Sequence, residues 1–232
     1  MTTPTQLTLN IKLRDDATFN NFYPANNGEI ITHLKNISSG KGEQCIYIYG
    51  HPGSGRSHLL QACCHYATSH ELAAIYLPLK TSALSPKILE NLEDITLVCI
   101  DDIDNIIGQQ QWEEKIFHFF NQLRQQQHYL LIAANTAPKN LNFLLPDLKS
   151  RLNWGLVLQL QSMSDEQKIK ALCARAKARG INLPIGVSKY LLHTCSRNTT
   201  DLFSILDQLD QASLTAKHKL TIPFIKKVLF LK

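Results

Sequence analysis

The chain has 232 residues, enough to bury a core as one large domain or two small ones. With 44% apolar residues and a formal net charge of +5 it has the make-up of an ordinary globular protein, and the mild positive charge permits work near nucleic acid without demonstrating it. No apolar run is long enough to span a bilayer, residues 1–16 lack the basic start and apolar core of a signal peptide, and the six cysteines form no C-x-x-C pair. A cytoplasmic protein with reduced thiols is expected, with no membrane role, no disulfide frame and no protein-ligated metal centre.

The first patterned stretch is Gln6–Ile11, where a polar residue precedes Leu7, Leu9 and Ile11 at alternate positions. An extended peptide can lay such side chains into an apolar cleft while the glutamine makes amide hydrogen bonds; an edge strand or a tail fits the pattern as well. Cys45–Gly50 is a short apolar run ending in glycine, as a buried parallel strand does. Ser57 to about His70 has helical spacing through Leu59, Leu60, Cys63 and Ala67. Ala73–Leu79 and Ile95–Asp102 read as the second and third strands, the latter ending in two acids. A helix is expected over Trp112–Gln127, a fourth strand with a polar end over Tyr129–Asn135, a helical turn through "FLLPDLKSRL" and a fifth strand over Leu156–Leu160.

Beyond Ser162 only helices follow, the first opening on Ser164 as N-cap with Gln167 three residues on and closing at Gly180. The expected fold is therefore α/β, a parallel P-loop sheet flanked by helices, with a small C-terminal all-helical lid. Residues 1–14 form an extended N-terminal segment in this reading, 15–162 the α/β subdomain and 163–232 the lid.

Between the first strand and the first helix stands "GHPGSGRS", a G-x-x-x-x-G-K-[ST] loop in every fixed position but one. Gly50, Pro52, Gly53, Ser54, Gly55, Arg56, Ser57 and His58 are the candidate phosphate-binding residues, since glycines let backbone N–H groups turn inward and the helix start is positive. Asp101 can hold the water shell of a magnesium ion that Ser57 reaches, and Asp102 can orient an attacking water. Asn135, ending the fourth strand, either senses a third phosphate or caps the following loop. A glycine-rich turn with a solvated acid pair is the alternative to a nucleotide site.

Arg56 replaces a lysine. Its planar fork is not a conservative substitute for a compact ammonium, although its charge still favours a diphosphate. ADP, held in a structural or regulatory way, is the expected ligand, with ATP and magnesium as the other candidates. Arg151, between the helical turn and the fifth strand, either reaches a phosphate on a neighbouring molecule or pairs with an acid such as Asp147.

The order of these motifs resembles the AAA+ module of the bacterial replication initiator DnaA, with Asp15–Asn27 similar to that family's segment beside the adenine. It is nearer still to the Hda family of DnaA-related regulatory inactivators, which has strings similar to "GRSHLL", "LVCID", "LPDLKSRLNWG", "LDQLD" and "KLTIPF". The resemblance implies that Gln6, Leu7, Leu9 and Ile11 bind the sliding clamp, the beta subunit of the DNA polymerase. It also implies that Arg151 acts in trans as an arginine finger on ATP held by DnaA, so that initiation is inhibited. DNA is then met through the clamp, with no helix-turn-helix domain after the lid; self-association is left open.

The chain departs from that family where a lid arginine is expected: Thr200 stands there, and Arg197 lies three residues earlier. With Arg56, this points away from an independent ATPase. The rival readings are an autonomous AAA+ ATPase such as a helicase-loading factor, a P-loop kinase, and a purely structural clamp binder.

Overall fold

The structure, a computed structural model, describes residues 13–81, 84–90, 92 and 94–229, so the expected clamp-binding residues Gln6–Ile11 lie outside it. Five strands, β1 (Cys45–Tyr49), β2 (Ala74–Pro78), β3 (Leu97–Asp101), β4 (Tyr129–Ala134) and β5 (Leu156–Gln159), form one sheet in the spatial order β2-β3-β4-β1-β5. Every pairing is parallel. Strands that run parallel need crossovers between them, and the helices α2 (Arg56–Thr68), α3 (Gln110–Gln125) and α4 (Pro146–Trp154) lie in those from β1 to β2, β3 to β4 and β4 to β5.

A sheet covered on both faces must offer apolar side chains in both directions, and β1 does so with a period of two. Ile46 and Ile48 pack with Leu34 and Ile37 of α1 (Gly28–Ser38) and with Leu59 and Leu60 of α2. Cys45 and Tyr47 turn the other way, into a cluster with Ile116, Phe119 and Phe120 of α3 and Leu148 and Leu152 of α4. Cys63, Cys64 and Cys99 are free thiols buried in the first of these clusters, and Cys45 in the second.

The helices α5 (Asp165–Ala178), α6 (Ile185–Thr194), α7 (Thr199–Ala216) and α8 (Ile222–Val228) close around a third core through Leu172, Leu191, Leu202, Leu206 and Ile225. α5 starts on a complete capping box: Ser164 Oγ accepts from Gln167 N at 3.2 Å, and Gln167 Oε1 accepts from Ser164 N at 2.9 Å. Buried Asn27 ties the start of α1 to the chain leaving β5, donating from Nδ2 to Gln161 O (3.1 Å) and accepting from Gln161 N (2.8 Å). Among the described residues no helix is long and apolar enough to cross a membrane.

Candidate functional site

The ends of β1, β3 and β4 lie side by side, so the loop after β1 meets the acids after β3 and Asn135 after β4. Ligands in open α/β sheets sit at this carboxyl edge. The loop turns on Gly53 (φ 82°) and Gly55 (φ 92°), conformations that side chains with a Cβ resist. Space demands glycine too: a Cβ on Gly55 would stand 2.6 Å from the Phe22 ring, and one on Gly53 would stand 2.7 Å from Oδ1 of Asn198, the N-cap of α7. The loop is thus pressed between the N-terminal segment and the lid. Gly50 is packed against Ser54 and Leu160, while Pro52 is exposed at the loop tip.

α2 begins at Arg56, and its first-turn N–H groups have no intrahelical partner. Ser54 Oγ and Arg56 Nη1 are buried with no hydrogen-bond partner. Buried polar groups of folded proteins are almost always satisfied, so these orphans, beside the N-terminus of α2, fit an anion such as a phosphate.

Arg56 does not extend into solvent. Its side chain is 10% exposed, Nη2 donates to Asn135 Oδ1 at 2.8 Å, and the same nitrogen lies 3.7 Å from Asp102 Oδ1. Asn135 is gripped from behind by Asp104, which accepts from its backbone N at 2.8 Å and from its side-chain Nδ2. Asp102 stands in a left-handed conformation (φ 54°), and burial with the neighbouring Asp101 charge raises its carboxyl pKa against the pull of Arg56. Asp101 is 1% exposed. Its Oδ2 accepts from the Tyr76 hydroxyl at 2.7 Å and its Oδ1 from Asp102 N at 2.9 Å. Burial pushes the Tyr76 phenol far up, so that it remains a donor to Asp101. Ser57 is exposed on the first turn of α2.

In front of the loop lies a cavity of about 560 Å³, large enough for a nucleotide, lined among others by Phe22, Tyr23, Met163, Arg175 and Phe203. His58 packs beside Phe22, ring centroids 5.5 Å apart, and its Nε2 is 2.8 Å from Thr18 O. A carbonyl only accepts, so Nε2 carries the proton, and burial lowers the pKa of the ring. The lid contributes Thr199 and Thr200 to the cavity; exposed Arg197 is not part of its wall.

Arg175 was not legible as a site residue. Its guanidinium lies 4.7 Å from the Phe203 ring centroid, pairs with Asp16 of the N-terminal segment and approaches Asp207 at 3.9 Å, while Nε is buried without a partner. It therefore clamps the lid onto the segment that walls the cavity. Asp104 and Tyr76 were missed as well. The third acid of "DDID" was a signal for Asp104, whereas Tyr76 reaches Asp101 only across neighbouring strands.

Arg151 lies elsewhere, on the last turn of α4, the helix that precedes the edge strand β5, and is half-buried. Among the described residues no carboxylate lies within ion-pair distance of it, so the expected alternative of a bridge to Asp147 is not formed. Trp154, one turn further, is 55% exposed, with Arg124 stacked 4.1 Å from its ring centroid.

Residues 13–159 match the family model described as bacterial DnaA ATPase domain, and residues 165–229 the one described as Hda, lid domain. Domain III of the replication initiation protein DnaA from Thermotoga maritima is similar in fold, with a TM-score of 0.79 at 22% identity over 94% of this chain and 98% of that one. AMPPCP-bound DnaA from Aquifex aeolicus superposes with a TM-score of 0.71 at 21% identity, over 86% of this chain and 67% of that one. The RuvB Holliday junction branch migration motor of Thermotoga maritima, at 14% identity, covers 88% of this chain and 69% of its own with a TM-score of 0.63.

Proposed function

The chain belongs to the bacterial DnaA family of AAA+ ATPase domains, and from that premise we propose that it is a negative regulator of replication initiation that acts on the initiator's nucleotide rather than on its own. Tethered to the sliding clamp through Gln6, Leu7, Leu9 and Ile11, and carrying ADP, it presents Arg151 to ATP held by DnaA. The match of the lid to the Hda lid model supports this reading over that of an initiator.

The observation that carries it is the state of Arg151. A half-buried guanidinium on the last turn of α4, with no carboxylate within ion-pair distance among the described residues, suits a phosphate supplied by a partner. Such a finger stabilises charge on a transferring phosphoryl group, an effect on the order of 10³–10⁵ in rate. Trp154, one helical turn further, adds an exposed aromatic anchor of the kind that dominates interface energetics. The chain's own site is poorly equipped for turnover, since Arg56 and Asn135 are bonded to each other and Asp101 is buried under Tyr76.

The test mixes ATP-loaded DnaA, clamp loaded on DNA and the chain, and counts phosphate released. Release should require all three and fall when Gln6, Leu7 and Leu9 are changed together to Ala. Multiple ATP turnovers by the chain alone, abolished by Asp101→Ala, would instead make it an autonomous ATPase.

A further inference from the structure

We propose that the end of the lid remote from the nucleotide site, where α7 turns into α8, is a contact surface for the phosphate backbone of duplex DNA. This goes beyond the proposed function, in which DNA is met through the clamp; only the choice of partner rests on that reading.

The lid carries the chain's positive charge. Residues 163–232 hold twelve lysines and arginines against five acids, whereas residues 1–162 hold twelve against fourteen. Within the lid the signs are separated again. Arg175 of α5 meets Phe203 and Asp207 of α7, and Arg179 meets Asp207 and Asp210, so the two helices run side by side in the same direction. Asp165, Glu166 and Asp201, in the first turns of α5 and α7, therefore stand at the end where Thr199 and Thr200 line the nucleotide cavity. Asp207 and Asp210 are engaged by Arg179, and from residue 211 on the sequence has no acid. The length of α7 sets Lys217 about 27 Å from Thr199.

That far end has a defined architecture. Lys217 closes α7 in a left-handed conformation (φ 49°), where glycine is usual. His218 N donates to Ser213 O at 3.1 Å and Ser213 Oγ donates to His218 O at 2.6 Å. The His218 ring lies parallel to that of Phe224 in α8, centroids 5.1 Å apart, which joins the turn to the last helix. α8 is only about 10 Å long, so exposed Lys217, Lys219, Lys226 and Lys227 share one end of the lid. Among the described residues none of the four has a carboxylate within ion-pair distance. The C-termini of α7 and α8 offset about one elementary charge between them, which leaves a surplus of about three.

Such a surplus suits a polyanion. Duplex DNA bears one negative charge per about 1.7 Å of its axis, and lysines that neutralise phosphates release condensed counterions. Contacts to phosphate position a protein without reading bases, so binding here is indifferent to sequence. A chain tethered to a clamp on DNA has these phosphates within reach, and a second, weak contact then gains from the high effective concentration.

The experiment measures fluorescence anisotropy of a labelled duplex of about 30 base pairs, titrated with the full chain alone between about 50 and 200 mM salt. Dissociation constants on the order of 10⁻⁴–10⁻⁶ M are expected, alike for two unrelated sequences, with a log–log salt slope of about −3 to −4. Changing Lys217, Lys219, Lys226 and Lys227 together to Gln should weaken binding at least about tenfold and flatten the slope by about one per lysine. The melting temperature and ADP binding of that variant should be unchanged. The same loss of charge outside the lid, at Lys35, Lys41, Lys87 and Lys139, should cost less than about threefold. Equal losses in the two variants, or no duplex binding at the lowest salt, overturns the proposal. Binding to vesicles of phosphatidylcholine and phosphatidylglycerol in equal parts, without binding to duplex, overturns it as well. Duplex binding that depends on the four lysines, in a chain that fails to stimulate DnaA, upholds this contact while sinking the finger reading.

Discussion

Arg56 Nη2 donates a 2.8 Å hydrogen bond to Oδ1 of Asn135, tying the first residue of the loop helix to the end of the fourth strand. A lysine there would reach forward as a point charge. The arginine is instead braced sideways, by Asn135 and by Asp102 at 3.7 Å, and Asn135 is itself fixed by Asp104. The chain Asp104–Asn135–Arg56 makes the position of the charge a property of the sheet edge, not of a mobile side chain.

Removing the brace should therefore loosen nucleotide binding without disturbing the fold. Asp104→Ala frees the Asn135 amide and should weaken ADP binding by about three- to tenfold, the scale of one or two hydrogen bonds. Calorimetry beside a thermal melt separates this from unfolding; unchanged affinity would show that Arg56 needs no support.

The glycine at position 55 makes a sharper prediction. Gly55→Ala adds a methyl group 2.6 Å from the Phe22 ring at a φ of 92°, so strain and displacement combine. A destabilisation of about 1–3 kcal/mol is expected, with loss of ADP binding as Phe22 is driven from the cavity wall. Chemical denaturation followed by ADP titration checks both halves.

These two positions illustrate what sequence could and could not supply. The loop, the five strands and the Ser164 capping box were legible because short continuous apolar runs, glycine spacing and Ser-x-x-Gln are local signals. Each observed strand falls within the expected run, usually a residue or two shorter. α1 went unread although Ile30, Leu34 and Ile37 carry a helical period. Tyr76 over Asp101 and Arg175 against Asp16 join residues 25 and 159 positions apart, and no local pattern announces such pairs. The choice between a free and a paired Arg151 was likewise a matter of side-chain direction on α4.

Arg175→Ala should release the lid. The guanidinium joins Asp16, Asp207 and Phe203, and its loss should lower stability by about 1–3 kcal/mol, towards the lower end because both carboxylates are partly solvated. Hydrogen exchange should speed up along α5 and α7 while the sheet remains protected. Uniform protection throughout would mean that the apolar contacts alone hold the lid.

The same contact sets a pH dependence. Burial on its own would raise the Asp16 carboxyl, but hydrogen bonds and charges from Arg14 and Arg175 more than offset it, leaving the pKa below its ordinary 3.8. A lowered folded-state pKa gives stability that is present above the unfolded value and lost as pH falls through the folded one. The difference in melting temperature between the unaltered protein and Asp16→Asn should thus be largest near neutrality and shrink below pH 3.8. A difference that grew on acidification would contradict the pairing.

Trp154→Ala tests the surface one helical turn from Arg151. With the ring 55% exposed and stacked on Arg124, its removal should cost no more than about 1 kcal/mol of stability. Coupling to ATP-bound DnaA should nevertheless weaken by about tenfold or more if the ring anchors the interface.

The most direct measurement follows single-turnover hydrolysis of ATP prebound to DnaA, in the presence of clamp on DNA, with the unaltered chain and with Arg151→Ala. The account predicts acceleration by the unaltered chain and a loss of about a thousandfold or of all measurable acceleration in the variant, with clamp binding and ADP binding of the variant unchanged. Acceleration that persists in Arg151→Ala would contradict it.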